Sequence, residues 1–239
     1  TVTTEYGRKL KMTASHSFLV RRKNRVVETP GYTLNIGDFL PLVKNMPINN
    51  GVIPNAPIPL NKATGRFIGA IVSEGCVNGN QVKFDNSDFE WLTTIIDDFS
   101  NATDMKTFRR KYVQTGLGTK PMMFCGTSDK TFAEWVTKYF GRTSHNKTLP
   151  GWILDAPEDF VTGLLQTFYD GDGNVDCKSG HHQIRCHTVS DDLAIMLSLC
   201  LARFGIPTYH GKEYYMTPDE KKTGIIQTDN GEKKQINRI

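Results

Sequence analysis

With 239 residues, 38% of them apolar, the chain is long enough for one large domain or two modest ones. No run approaches the ~18 apolar residues of a membrane-spanning helix, and Thr1 to Leu10 lack the apolar core of a secretory signal. The net charge of +4, with a pI of about 8.7, is mildly basic: it permits a nucleic-acid partner without demanding one. Cys76, Cys125, Cys177, Cys186 and Cys200 form no CxxC pair, so free thiols in a reducing, intracellular compartment are expected rather than a disulfide framework. Thr1 in place of an initiator Met leads us to expect a processed or excised piece.

In chain order, residues 1–46 read as short β segments. Lys9 to Met12 and Phe18 to Val20 are extended stretches, and Tyr32 to Leu34 leads into a turn at Gly37-Asp38. Pro47, Pro54, Pro57 and Pro59 exclude a helix and predict an extended linker, with a domain boundary near Asn61. Beyond it the pattern becomes α/β. Helices are predicted over 64–74, 87–100, 129–140, 157–170 and 190–204. Strands are predicted over 81–85, 107–114, 120–125, 183–188, 207–215 and 223–228. The order repeats, with Lys120 to Phe124 falling opposite Lys222 to Ile226, and a final helix starts near Lys234. Basic clusters sit at Arg21-Arg22-Lys23-Arg25, Arg109-Arg110-Lys111, Lys221-Lys222 and Lys233-Lys234.

Two segments carry the chemistry. Phe67 to Gly75 and Leu165 to Gly173 are apolar helices that each end in an acid and a glycine. Gly69 and Ser73 share one helix face, as do Thr167 and Gly171, and small residues on a stripe let helix backbones approach closely. Gly75 and Gly173 are expected as left-handed C-terminal caps. Glu74 and Asp172 then stand at helix C-termini, where the macrodipole disfavours a carboxylate. Side by side they repel unless a cation intervenes. Mg²⁺ suits such a pair, because it takes few protein carboxylates and keeps waters or phosphates. Asp170 points elsewhere on the helix. Cys177, His181, Cys186 and His187 fit no familiar zinc spacing, and alternate strand residues face opposite ways.

The two segments resemble the paired signatures of LAGLIDADG homing endonucleases. Their flanks add to the likeness. Lys147 to Ile153 resembles the Lys-x-[Ile/Leu]-Pro block before the second signature of intein-borne members, and Thr188 to Ile206 the Ser-x-x-Leu…Leu-x-x-x-Gly-Ile block after it. The resemblance implies an α+β fold: a pseudo-two-fold saddle of two αββαββα repeats, residues 62–146 and 147–239, the second of them cut short. It implies a monomer that cuts both strands of duplex DNA at a long site, with Glu74 and Asp172 carrying the metals and Lys147 near the scissile phosphate. It also implies strands lying in the major groove. Candidate DNA contacts there are Asn78, Asn80, Gln81, Lys83, Arg109, Arg110, Lys111, Gln114, Lys178, His181, His182, Gln183 and Arg185.

Residues 1–61 resemble part of an all-β intein splicing (Hint) domain followed by the linker. Thr13-Ala14-Ser15-His16 is similar to its Thr-x-x-His block and Leu34 to Phe39 to its Leu-x-x-Gly-Asp segment. In that family the histidine, helped by the threonine, acts on the N-terminal splice junction, which implies flanking host-protein exteins as partners. No Cys or Ser begins the chain and no His-Asn ends it, so splicing by the chain as it stands is not expected. Three readings stay open: an intein-embedded Mg²⁺-dependent endonuclease; a cleavage-inactive DNA-binding or maturase-like protein of the same fold; and a splicing element with the nuclease as passenger.

Overall fold

The computed structural model describes residues 1–41, 53–113, 121–177, 183–214 and 235–238. Two small hairpins open the chain: β1 (Val2–Thr3) with β2 (Lys9–Leu10), and β3 (Ser17–Arg22) with β4 (Arg25–Pro30). The second turns through Lys23 and Asn24, both at positive φ (48° and 61°), the backbone of a tight two-residue hairpin. Arg22 of this basic cluster is tied to Asp38 through a 2.5 Å ion pair, and its Nη2 also donates to the Thr33 carbonyl. β4 is an element the sequence pattern did not announce. Residues 53–60 run without helix or strand, in keeping with their prolines. The predicted linker residues 47–52 lie outside the described residues.

From Lys62 onward one motif occurs twice. The first copy is α1 (Lys62–Glu74), β5 (Gly75–Asn78), β6 (Gln81–Asn86), α2 (Phe89–Ala102), β7 (Thr107–Val113), β8 (Pro121–Ser128) and α3 (Lys130–Phe140). The second is α4 (Glu158–Asp172), β9 (Gly173–Asp176), β10 (Gln183–Thr188), α5 (Asp191–Arg203), β11 (Gly211–Tyr214) and β12 (Gln235–Arg238). Each copy builds a four-stranded antiparallel sheet in the same order, β5-β6-β8-β7 and β9-β10-β12-β11. The architecture is α+β, as expected. Among the described residues no helix is long and apolar enough to cross a membrane.

Local chemistry sets the helix starts. Asn61 and Thr64 form a reciprocal capping box on α1, and Asp88, Asp129 and Ser190 cap α2, α3 and α5 through their side chains. Inside the first copy, Phe67 stacks on Phe99 at 3.9 Å between centroids and meets Phe84 edge-on, joining α1, α2 and β6 in one core.

Two expectations are corrected. The fourth strand of the second copy is β12 at 235–238, where the repeat register had predicted a helix from Lys234; the predicted strand 223–228 lies outside the described residues. The chain between β11 and β12 is longer than that between β7 and β8, so a fixed offset between copies fails there. Gly75 and Gly173 are not left-handed: they sit at φ −97° and −83° in extended backbone. Glycine is needed for space. A Cβ at Gly75 would lie 2.5 Å from the Ile71 Cα, and one at Gly173 would lie 2.1 Å from the Tyr169 carbonyl oxygen. β5 and β9 start at these glycines, so each helix passes directly into a strand.

The copies meet along α1 and α4. Gly65, Gly69 and Ser73 form a stripe on α1, and Gly163, Thr167 and Gly171 its counterpart on α4. A Cβ would lie 2.1 Å from the Phe160 carbonyl oxygen at Gly65, 2.4 Å from that of Leu164 at Gly69, and 2.3 Å from that of Lys62 at Gly163. The seam thus runs a full turn further toward the helix N-termini than the Gly69/Ser73 and Thr167/Gly171 pairs indicated.

The copies also differ in how their sheets are covered. Val77 and Val82 lie beneath α3 at 5% and 0% exposure, while their register mates Val175 and Ile184 are 66% and 68% exposed. No described helix covers that pair.

The seam makes a direct prediction. Gly69→Ala should lower stability by at least about 1–3 kcal/mol, because backbone must move to admit the methyl. Gly151→Ala, where a Cβ would meet nothing within 4 Å, should change stability by less than about 0.5 kcal/mol. Equal urea midpoints for the two variants would show that the close approach is not as described.

Candidate active site and nucleic-acid face

The stripes lead to one place. α1 and α4 pack along their length, so their C-terminal residues Glu74 and Asp172 emerge together at one end of the seam. A Cβ at Gly171 would lie 2.6 Å from Ser73 Oγ and 3.3 Å from Glu74 Cγ, so the small residue leaves room for the Glu74 side chain. Both carboxylates are partly buried, and both are pushed above the ordinary carboxylate range, first of all by loss of solvation. The charge of Asp172 raises Glu74 further; the Lys147 ammonium opposes the rise at both.

Lys147 is the cation of this site. It is 7% exposed, and its Nζ donates a 2.6 Å hydrogen bond to the Ser73 carbonyl. That carbonyl belongs to the last turn of α1, which has no helical donor of its own and carries the negative end of the dipole. Burial pushes the ammonium pKa down, while Asp172 and Glu74 pull it up. Two features aim the lysine. Gly141, at φ +80°, ends α3 and folds the loop back, and a Cβ there would lie 2.0 Å from the Asn146 carbonyl oxygen. Ser190 donates its hydroxyl to the Lys147 carbonyl at 2.6 Å while capping α5 at Leu193. The Ser-x-x-Leu block is therefore the clamp on the lysine. The sequence displayed the block, but not that its hydroxyl reaches back to Lys147.

The donor set fits a hard divalent cation: two oxygen ligands, desolvated and mutually repelling, beside one ammonium. Glu74 and Asp172 would hold it. Among the described residues no group of three His, Cys, Asp or Glu side chains forms a richer site. Cys186 is buried against Tyr169, and burial pushes its thiol up to about 11.

The candidate DNA contacts separate by strand parity. In the first sheet Val82, Phe84, Met123 and Cys125 turn toward the helices and are buried. Arg109 pairs with Cys125 and Lys111 with Met123, so both stand on that helix side. There Arg109 forms an ion pair with Asp97 of α2, and the Lys111 ammonium lies over the Phe89 ring at 5.0 Å. This corrects the reading of Arg109-Arg110-Lys111 as one DNA-facing cluster: adjacent strand residues point to opposite faces. Arg110, paired with Phe124, and Lys83, paired with Gly126, occupy the open face. In the second sheet Cys186 is buried on the helix side, so Gln183, Arg185 and His187 take the open face. Arg185 bonds Gln183 at 2.7 Å and Asp176 at 3.2 Å. Asn78 and Gln81 face each other across the β5–β6 hairpin, with Asn80 in its turn. Gln114, Lys178, His181 and His182 lie outside the described residues, as do Lys221, Lys222, Lys233 and Lys234.

At the other end of the chain, Thr13 and His16 are both exposed and bracket one turn, the His16 N–H bonding the Thr13 carbonyl at 3.2 Å. The His16 ring meets Phe18 edge-on at 5.9 Å. The Asp38 carboxylate accepts from Arg22 and from the Asn35 N–H, which hold its pKa down to about 2.

The raised carboxylates fix a sign. Their contribution to stability is fully present below their ordinary values of 4.5 and 3.8 and is lost as pH rises through the raised ones. In metal-free buffer at pH 7, Glu74→Gln and Asp172→Asn should therefore raise Tm, and the gain should vanish at acid pH. Added Mg²⁺ should raise the wild-type Tm more than that of either variant. Thermal scans in which both variants melt lower at pH 7, and in which Mg²⁺ shifts all three alike, would contradict the paired-carboxylate site.

Comparison with known proteins finds relatives of the chain and a family model that matches part of it. The chain is 28% identical over 233 residues to the DNA-directed RNA polymerase subunit Rpo1C of Methanocaldococcus jannaschii, covering 86% of this chain and 26% of that protein. It is 33% identical over 155 residues to the ATP-dependent DNA helicase Hel308 of Thermococcus kodakarensis, covering 62% of this chain and 13% of the helicase. A third relative is a DNA gyrase subunit of Mycobacterium kansasii, 28% identical over 145 residues, covering 59% of this chain and 26% of the gyrase protein. The chain thus spans about a quarter or less of these relatives. Among solved structures it aligns with the N-terminal LAGLIDADG domain of DUF199/WhiA (TM-score 0.44, 10% identity, 80% of this chain and 78% of that one). It also aligns with I-DmoI in complex with DNA and Mn (TM-score 0.40, 9% identity, 75% and 89%). Residues 159–235 match the model of the LAGLIDADG-like domain, which supports the LAGLIDADG family for the segment that carries Asp172.

Proposed function

We propose that this chain is the nuclease part of an intein-type homing element: a site-specific endonuclease that makes divalent-cation-dependent double-strand breaks in DNA. The observation that carries the reading is the meeting of Glu74, Asp172 and Lys147 at one end of a glycine-lined seam, between two copies of one motif. A duplex has two antiparallel strands related by local two-fold symmetry, and a two-fold pair of carboxylates addresses one scissile phosphate on each.

A cation bound by Glu74 and Asp172 would polarise the phosphate and make water a better nucleophile near neutral pH. The chain's own residues do the rest. Glu74 and Asp172 hold their negative charge at a fixed place at the seam's end. Lys147, fixed by the Ser73 carbonyl and by Ser190, supplies positive charge where the pentavalent phosphate develops negative charge. Lys83, Arg110, Gln81, Gln183 and Arg185 line the open sheet faces on either side, the residue types that suit phosphates and base edges.

The insertion of this element within a host protein is supported by the relatives. Segments similar to it occur in proteins named as components of a polymerase and of a gyrase and as a helicase, each covered by only 13–26%. A shared segment in proteins of such different names is the distribution a mobile insert leaves. Thr13 and His16, in one exposed turn, are then part of a splicing apparatus that acts on exteins in the precursor.

Two measurements test this. Supercoiled plasmid carrying the uninterrupted host-gene site should be linearised in Mg²⁺ and left intact in EDTA. Glu74→Gln and Asp172→Asn should each reduce the cleavage rate by about 100-fold or more while keeping DNA binding. Full-rate cleavage by either variant would sink the metal-ligand assignment, and failure of wild type to cut would sink the nuclease reading. In a precursor with both host junctions present, His16→Ala should slow N-terminal junction cleavage; unchanged splicing would contradict the role of His16.

A further inference from the structure

On the central strands of the two open faces, β6 and β10, two successive outward positions match and the third differs. By strand register Gln81 corresponds to Gln183 and Lys83 to Arg185, keeping amide for amide and cation for cation. The next outward position is Asp85 in the first copy and His187 in the second. Each stands beside its own half of the catalytic pair: the charge of Asp85 acts on Glu74, and that of His187 on Asp172.

Asp85 is a carboxylate on a face otherwise suited to an anionic duplex. The Tyr112 hydroxyl donates to its Oδ2 at 2.9 Å from two strands away. The cross-strand partner of Asp85 is Phe124. That ring is packed edge-on by Phe108 at 6.0 Å, tilted against Tyr112 at 5.9 Å, and approached by the Lys83 ammonium at 5.2 Å. The result is a fixed acceptor beside an apolar surface, with cations at its rim.

Resting on the nuclease reading above, we infer that Asp85 is a specificity residue that selects a cytosine in the half-site gripped by the first sheet. The chemistry singles out that base. A carboxylate repels phosphate oxygens and the acceptor edges of guanine and thymine. It attracts only the exocyclic amines of cytosine and adenine. On adenine the amine is flanked by the N7 acceptor, whose lone pair opposes a second carboxylate oxygen. On cytosine it is flanked by C5–H, an apolar edge that can rest on Phe124. His187, at the matching place in the second sheet, cannot make the same contact in the same way, so the two half-sites differ at this position. Tyr112 acts as a positioning residue that holds the carboxylate toward the groove.

The test is selection of duplexes from a randomised pool without divalent cation, followed by competition with each base pair of the recovered site varied. Wild type should prefer cytosine at one pair by roughly 5- to 100-fold over the alternatives. Asp85→Asn, which keeps the shape but adds a donor, should lose that preference and gain adenine at the same pair, leaving the other positions unchanged. Tyr112→Phe should weaken the preference without moving it. Retention of the cytosine preference in Asp85→Asn overturns the inference, as does a recovered site with no such pair. Unchanged base preference with lost Mg²⁺-dependent cleavage also overturns it, by placing Asp85 with the metal. Those results leave the nuclease reading standing, whereas recovery of no duplex by wild type removes both.

Discussion

The structure depends on how closely two helix backbones approach. α1 and α4 touch along stripes of glycine and small hydroxyl residues, where even a methyl at Gly65, Gly69 or Gly163 would strike a carbonyl oxygen of the opposite helix. Every later feature follows from that distance. It brings two copies of one motif together along a common line and sets their sheets on either side of it. It also brings the two C-termini, with their acids, to one point. Bulkier residues on the stripe would separate Glu74 from Asp172 and the first sheet from the second in one movement. The glycines after the acids extend the same logic, since each closes against the preceding helical turn and sends the chain at once into a strand.

What the seam assembles is electrostatically unfavourable on its own. Two partly buried carboxylates stand at the negative ends of two helices, and both are driven toward the protonated form. The fold answers with one buried lysine, seated on the last turn of α1 and clamped by the serine that caps α5. One ammonium against two carboxylates leaves a net negative pocket, which an added cation would balance. Stability is given up at the place where the chemistry would occur, a common trade at catalytic centres.

Much of this was legible in the sequence, and the failures have physical causes. The acid-glycine endings, the order of elements and the lysine block all show on one line of text, because each is a local pattern. The full length of the seam does not show in the sequence, although Gly65 lies one turn before Gly69 and Gly163 before Thr167; a glycine early in a helix carries no mark of what faces it. The sequence pattern suggests left-handed caps at the C-terminal glycines, the usual reason for glycine there, whereas steric room is the reason here. Arg109 and Lys111 looked like one patch with Arg110, but strand alternation sends them to Asp97 and Phe89 on the other side. A repeat offset does not locate the fourth strand of the second copy at 235–238, because the copies differ in the length of chain before it. The contacts of Ser190 with Lys147 and of Tyr112 with Asp85 join residues far apart in sequence, and composition gives no sign of those contacts.

The central claim is that Glu74 and Asp172 form one cation-binding centre beside Lys147. The most direct measurement is anomalous diffraction from crystals grown with a target duplex and Mn²⁺. The account predicts anomalous density between the two carboxylates at the end of the α1–α4 seam, with Lys147 Nζ facing the adjacent phosphate. Clear density for the duplex on the open sheet faces, with manganese absent from the seam or bound elsewhere, would contradict it.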